Sequence, residues 1–280
     1  VSYARRLLGI KKVGHGGTLD PAAAGVLTLF VGRATKAVEF FEHDDKEYIA
    51  EMVLGITTDT GDSQGNVLQV RNVNVDGLSL EVIFKGFIGF IKQLPPMYSA
   101  VHYKGKRLYE LARKGITVER EFRTVEIKDI ELLNTDKNTA LIKVICSKGT
   151  YIRTLCEDIG EIAGCGAYLG SLIRTRSGNF SISSSHTLEE MSEYAKRNIE
   201  DMMVPVDKAL FHMPRVEIAS ESQSQFGKGH VFSYRPGLFA TQAGDLVRVY
   251  NGQDFLGIAR VTQPGKSLQV VKSFIRVDVS

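Results

Sequence analysis

The order in which the apolar pattern changes period constrains this fold most. Strand-like stretches at Gly25–Gly32, Lys46–Gly55, Arg123–Leu133 and Thr139–Ser147 are rich in β-branched or aromatic residues and bounded by turn formers. Within Lys46–Gly55 a period of two sets Tyr48, Ala50, Met52 and Leu54 on one face. Helical stretches interleave at Leu78–Phe90, Arg107–Lys114 and Thr150–Ala163. The last two run into Gly115 and Gly164, where a left-handed residue closes a helix. Helices and strands mix without a regular βαβ rhythm, so the prediction is an α+β fold on a largely antiparallel, mixed sheet.

After a helical stretch near Leu188–Asn198, Met202-Met203-Val204-Pro205 and Met213-Pro214 read as a linker. Beyond it come short strands around Asp245–Asn251, Phe255–Val261 and Leu268–Ile275, punctuated by the hairpin signals Asn251-Gly252 and Pro264-Gly265. The expected organisation is a first domain over 1–205 and a small β-barrel over 214–280. Charge divides in the same place. Residues 1–213 hold 27 Lys/Arg against 27 Asp/Glu and residues 214–280 hold 8 against 5, so the net +3 belongs to the last quarter. That excess suits a polyanionic partner or an ordinary solubilising surface. No run approaches the roughly 18 apolar residues that span a bilayer, and no export leader opens the chain. Cys146, Cys156 and Cys165 are too widely spaced for a disulfide framework or a zinc knuckle. The expectation is a cytoplasmic protein with reduced thiols, away from membranes.

Three segments carry candidate chemistry. Gly14-His15-Gly16-Gly17-Thr18-Leu19-Asp20-Pro21 has three glycines in four residues, which permits close backbone approach or a turn with positive φ. It matches neither a P-loop nor the dinucleotide fingerprint. Asp20, followed by Pro and three alanines, is written as a helix N-cap with Pro at N1, and spacing favours a cap over a catalyst. In Cys146-Ser147-Lys148-Gly149-Thr150-Tyr151-Ile152-Arg153, Thr150 reads as the cap of a helix and Arg153 falls in its first turn, where the macrodipole disfavours a cation. Glu157 at i+4 or a buried carboxylate elsewhere would offset that cost. The run Pro95 to Tyr109 combines a double proline, a basic Lys104-Gly105-Lys106-Arg107 turn and three tyrosines, a mixture suited to RNA or to a solvated turn. The loop over 57–66 lacks the terminal bidentate Glu of a calcium loop.

Taken in order, the blocks resemble the TruB-type tRNA pseudouridine synthases. They are Gly14 to Pro21 with Gly25-Val26-Leu27, Asp45-Lys46-Glu47-Tyr48, Thr58-Asp59-Thr60 with Asp62, and Gln93 to Ala100. Gly105 to Arg113, Ser147 to Leu155 and Cys165-Gly166-Ala167 complete the set. The resemblance covers most of 5–178, and 214–280 is similar to the small PUA barrel these enzymes often carry. It implies the pseudouridine synthase fold, with the family's first N-terminal strand and its Lys-Pro segment expected to be missing ahead of Val1. It also implies isomerisation of uridine 55 in the T loop of tRNA by base flipping, cleavage of the C1′–N1 bond and rejoining through C5. Asp20 is then the catalytic carboxylate, Arg153 its partner, and Tyr48 the ring on the flipped uracil. Tyr151 and Leu172 line the pocket and His15 fills the space the base leaves. Lys104, Lys106 and Arg107 would grip RNA, and the C-terminal domain would hold the acceptor arm. No cofactor, no metal and no obligatory protein partner are implied, and a monomer is expected. A tRNA-binding or folding protein without catalysis, and a guide-RNA-dependent synthase, are the alternatives.

Overall fold

The computed structural model describes residues 1–42, 44–219, 226, 231–234 and 240–275. The chain divides into two compact units, one of residues 17–28 and 41–185, the other of residues 1–16, 29–40 and 186–280. Part of the barrel expected over 214–280 lies outside the described residues.

The first of these units is built on one mixed sheet. Its strands run in the order Phe180–Ser181, Ala167–Ser177, Lys46–Leu54, Thr139–Cys146, Arg123–Asp136, Gly89–Gln93, all antiparallel. The two-residue strand Ala24–Gly25 adds to Ala167–Ser177 in parallel. Alternation in Lys46–Leu54 buries Ala50, Met52 and Leu54 as the period of two predicts. Those side chains join Ile142 and Val144 in a core closed by helices Gly77–Lys85 and Ile152–Ile162, which contribute Leu80, Phe84, Leu155, Cys156 and Ile159. The three cysteines are free and buried, as apolar packing residues.

Several elements differ from the sequence expectation for identifiable reasons. The helix expected over Leu78–Phe90 stops at Lys85, because Gly86 and Gly89 release the chain into the strand Gly89–Gln93. The strand expected over Gly25–Gly32 is two short pieces, Ala24–Gly25 and Leu29–Val31, followed by a 3₁₀ stretch Gly32–Phe40. Thr150 does not cap the Ile152–Ile162 helix; Tyr151 holds that position and the Thr150 hydroxyl donates to the Ser147 carbonyl at 2.9 Å. No helix follows Asp20, so it is not an N-cap; Pro21-Ala22 form a turn leading into Ala24–Gly25. Gly115 and Gly164 are left-handed, as expected at helix ends.

In the second unit, strands run in the order Arg215–Glu217, Leu246–Asn251, Asp254–Gln263, Ser267–Ser273, Val231–Ser233. The first pair is parallel and the rest antiparallel. Asn251 pairs with Asp254 and Gln263 with Ser267, so both predicted hairpin signals sit at turns. Val216, Phe226, Phe232, Val247, Val249 and Leu268 form its core. The strand pair Val13–His15 with Leu29–Val31 and the helix Leu188–Lys196 belong to the same unit. Among the described residues no helix is long and apolar enough to cross a membrane.

Candidate active site

The Ile152–Ile162 helix places Arg153 in its first turn with 4% of its side chain exposed. Burying a guanidinium there requires acceptors on every side, and distant segments supply them. Arg153 Nε lies 2.9 Å from Asp20 Oδ2, a close charge contact lacking the angle of a hydrogen bond. Nη1 meets Asp62 Oδ2 at 3.3 Å and donates to the Thr60 carbonyl at 3.2 Å, and Nη2 donates to the Tyr98 carbonyl at 2.7 Å. Of the two kinds of partner left open by the sequence, carboxylates from elsewhere in the chain form the ion pairs, although neither is buried: Asp62 is partly covered and Asp20 is open. Asp20 keeps 39% of its side chain exposed, so the carboxylate facing Arg153 also faces open space.

That space is a cavity of about 90 Å³ lined by Thr18, Leu19, Asp20, Tyr48, Thr150, Tyr151, Ile152, Arg153 and Leu172. Five residues named from the sequence, Asp20, Tyr48, Tyr151, Arg153 and Leu172, therefore meet around one opening. Tyr48 comes from the Lys46–Leu54 strand, and Leu172 from the neighbouring Ala167–Ser177 strand, where it pairs with Ala50. Burial pushes the Tyr48 phenol above its ordinary value, with Cys146 adding to the rise and Arg174 opposing it. Tyr151 is fixed through its backbone: its N–H donates to Gln93 Oε1 at 3.0 Å, and Gln93 Nε2 donates to its carbonyl at 3.3 Å. Gln93, 1% exposed, opens the Gln93-Leu94-Pro95-Pro96 block.

The remaining candidates lie elsewhere. His15 belongs to the other compact unit, in the strand Val13–His15, and its buried Nδ1 has no hydrogen-bond partner among the described residues. Lys104, Lys106 and Arg107 are exposed on the hairpin His102–Tyr103 / Lys106–Arg107, outside the cavity lining. Lys104 Nζ stands 5.4 Å from the Tyr103 ring centre, and Arg107 and Arg113 lie 6.0 and 5.4 Å from that of Tyr109. The turn forming this hairpin has left-handed Lys104 and Gly105 in succession.

Sequence reasoning passed over Asp62, Gln93 and Arg174 as site residues. The first two stand inside motif blocks quoted above, but their partners are 91 and 58 residues away, which no local spacing displays. Glu157 is also close. Its carboxyl packs against Gly61, and burial followed by Asp158 pushes it up to about 7, with Arg153 opposing.

Residues 5–152 match the TruB family pseudouridylate synthase (N terminal domain), and residues 153–211 match the tRNA pseudouridylate synthase B C-terminal domain. The chain is 43% identical to the tRNA pseudouridine synthase B of Alkaliphilus oremlandii, covering 97% of this chain and 91% of that protein. It is also 43% identical to the protein of that name from Clostridium tetani, with coverages of 98% and 94%. Among solved structures it resembles a chain of a Cbf5-Nop10-Gar1 complex with TM-score 0.72 and 26% identity, over 98% of this chain and 80% of that one. A chain of an H/ACA RNP bound to a substrate RNA containing 2′-deoxyuridine aligns with TM-score 0.71 and 25% identity, over 99% and 80%. With its mixed α+β sheet and its match across both domain families, the chain belongs to the TruB family of pseudouridylate synthases.

Proposed function

We propose that this chain isomerises uridine to pseudouridine in tRNA, at position 55 of the T loop, with Asp20 as the catalytic carboxylate. The observation that carries this is the Asp20–Arg153 charge contact opening onto a cavity walled by Tyr48, Tyr151 and Leu172, in a chain of the TruB family. In the reaction the C1′–N1 bond breaks, the uracil turns, C1′ joins C5, and the C5 hydrogen leaves as a proton. Every atom of the product comes from the substrate or water, so no cofactor is needed. The Asp20 carboxylate serves at the sugar, either as nucleophile at C1′ or by deprotonating and stabilising it. Arg153 holds that carboxylate in place and offsets its charge.

The target base must leave its stack to reach the cavity, at a cost of a few kcal/mol. Tyr48 would stack on it and its phenol would assist departure of the C5 proton, while Tyr151 and Leu172 wall the base. His15 would occupy the space the base vacates. Lys104, Lys106 and Arg107, with their tyrosines, would grip backbone and bases around the loop. Residues 1–205 would thus form the catalytic region, and residues 214–280, read as a PUA-like module, would hold the acceptor arm through phosphate contacts. The setting proposed is a cytoplasmic monomer acting on free tRNA.

The experiment is release of tritium from tRNA transcript labelled at uracil C5, by the chain and by Asp20→Asn, with no guide RNA, protein partner or cofactor added. Release by the chain and none by the variant is expected, with both binding tRNA. Binding without release by either would assign the chain a role in tRNA binding or folding. Release only after a guide RNA is supplied would assign it to the guide-dependent kind.

A further inference from the structure

We propose that Arg174 is a positioning residue of this site: a buried guanidinium that ties the segment carrying Asp20 to the strand carrying Tyr48, so that carboxylate and phenol face the same base at a fixed spacing.

Arg174 is 2% exposed and is among the largest fully buried side chains. Its Nε donates to the Val26 carbonyl at 2.7 Å, Nη2 to the Gly17 carbonyl at 3.1 Å and Nη1 to the Thr18 carbonyl at 3.4 Å. One side chain therefore grips both ends of segment 17–26, with Asp20 in the span between. The backbone closes the same ring. The Val26 N–H donates to the Arg174 carbonyl at 2.9 Å, and Ala24–Gly25 pairs in parallel with Ile173–Arg174. The approach is so close that a Cβ on Gly25, whose φ is +105°, would stand 2.2 Å from the Arg174 carbonyl oxygen.

The other end of the tether is Tyr48. Arg174 stands directly opposite Tyr48 in the antiparallel register, and its charge acts on the phenol. Leu172, two residues before Arg174 and so on the same face of the strand, lines the cavity with Tyr48. Arg174 thus joins two elements that each deliver a reacting group, while Arg153 holds the Asp20 carboxylate itself.

Two physical points distinguish this from ordinary packing. The hydrogen-bond partners of the Arg174 side chain are three carbonyls, with no carboxylate among the described residues. A desolvated cation without a counter-ion is expensive, and an apolar side chain of like volume would stabilise a purely structural site better. Lysine could not substitute, because carbonyls on two sides of the chain need a planar fork of donors rather than a single ammonium. The uncompensated charge also bears on Tyr48: it favours the phenolate, against burial, Cys146 and the Asp20 charge.

The chemical half of this inference rests on the synthase reading; the tether does not. The test compares the full chain with Arg174→Lys and Arg174→Met by hydrogen exchange, tRNA affinity and single-turnover tritium release across pH. Exchange should rise within 17–26 while the strands Lys46–Leu54 and Thr139–Cys146 stay protected. The tRNA Kd should hold within about twofold and the single-turnover rate fall on the order of 100-fold, the scale of a misplaced reacting group. In Arg174→Met, where Tyr48 loses its cationic neighbour, the alkaline side of the rate–pH profile should move upward. Gly25→Ala, which keeps the guanidinium but displaces the segment, should reproduce the rate loss. Unchanged protection in 17–26, or rates within about threefold of the parent, overturns the proposal. So does uniform loss of protection across the central sheet, which would make Arg174 a stability residue only. If the parent chain itself releases no tritium, the synthase reading fails and the exchange result alone decides the tether.

Discussion

Glu157 sets a pH-dependent cost one helical turn behind Arg153. In the unfolded chain its carboxyl ionises near the ordinary glutamate value, whereas burial and then Asp158 hold it protonated up to about 7 in the folded chain. The folded state binds this proton more tightly, so the contribution is complete below the unfolded value and is lost as pH rises through about 7. The group is partly solvated, and the loss is expected at about 1–2 kcal/mol, less than the bare shift would give. Glu157→Gln removes the titration. Thermal midpoints of variant and parent should nearly coincide at pH 5 and separate in favour of the variant toward pH 8.5. A difference that stays constant over that range would remove Glu157 ionisation as the cause. The same neighbourhood shows why single residues were unevenly legible. Arg153 stood out because a cation in a first helical turn needs a reason. Asp20 was disguised, since Asp-Pro-Ala-Ala-Ala is the local grammar of a helix start, and only the parallel pairing of Ala24–Gly25 overrides it.

Elements, more than residues, decide whether the cavity keeps its shape. The Ile152–Ile162 helix has no side-chain cap of its own at Tyr151. Gln93 instead anchors the residue at that position from the Gly89–Gln93 strand, accepting from the N–H of Tyr151 and donating to its carbonyl. Gln93→Leu keeps the volume but leaves the Tyr151 N–H without its acceptor, while the Tyr151 carbonyl keeps the Leu155 N–H at 3.0 Å, which should cost about 1–2 kcal/mol. Urea unfolding monitored by far-UV circular dichroism should show a lower midpoint with unchanged slope. A midpoint within error of the parent would mean that water replaces Gln93. This strand-to-helix link was invisible locally, whereas the helix itself was legible from its period and from Gly164. The strand Ala167–Ser177 was the main omission. Gly170 and Ser171 interrupt its apolar pattern, its register shifts between Leu169 and Ser171, and it buries Arg174 where a strand pattern calls for an apolar residue. Such a strand is defined by its partners on both sides, so only the folded sheet reveals it.

For the whole molecule, net charge is a poor guide to which cations the fold leaves exposed to a polyanion. The excess of Lys/Arg lies in 214–280, yet several of those cations are committed within the protein. Arg248 donates to the carbonyls of Met213, Asp207 and Phe211, Arg215 pairs with Glu217, and Lys272 pairs with Glu39. By contrast Lys104, Lys106 and Arg107 are exposed on a hairpin in a region of balanced formal charge, and make no ion pair among the described residues. Counterion release depends on cations that can reach phosphate, not on a regional sum. Replacing all three by Gln should therefore weaken tRNA binding and flatten the plot of log K against log salt. If each residue meets one phosphate, the slope should fall in magnitude by roughly 0.7–0.9 per residue, about 2–3 in all. Arg248→Gln should leave that slope alone and lower stability instead, because it strips three carbonyls of their donor. Filter binding of tRNA between low and moderate salt, paired with thermal unfolding of each variant, separates the two effects. An unchanged slope in the triple variant would move the phosphate contacts off the hairpin and onto cations that the fold leaves exposed elsewhere.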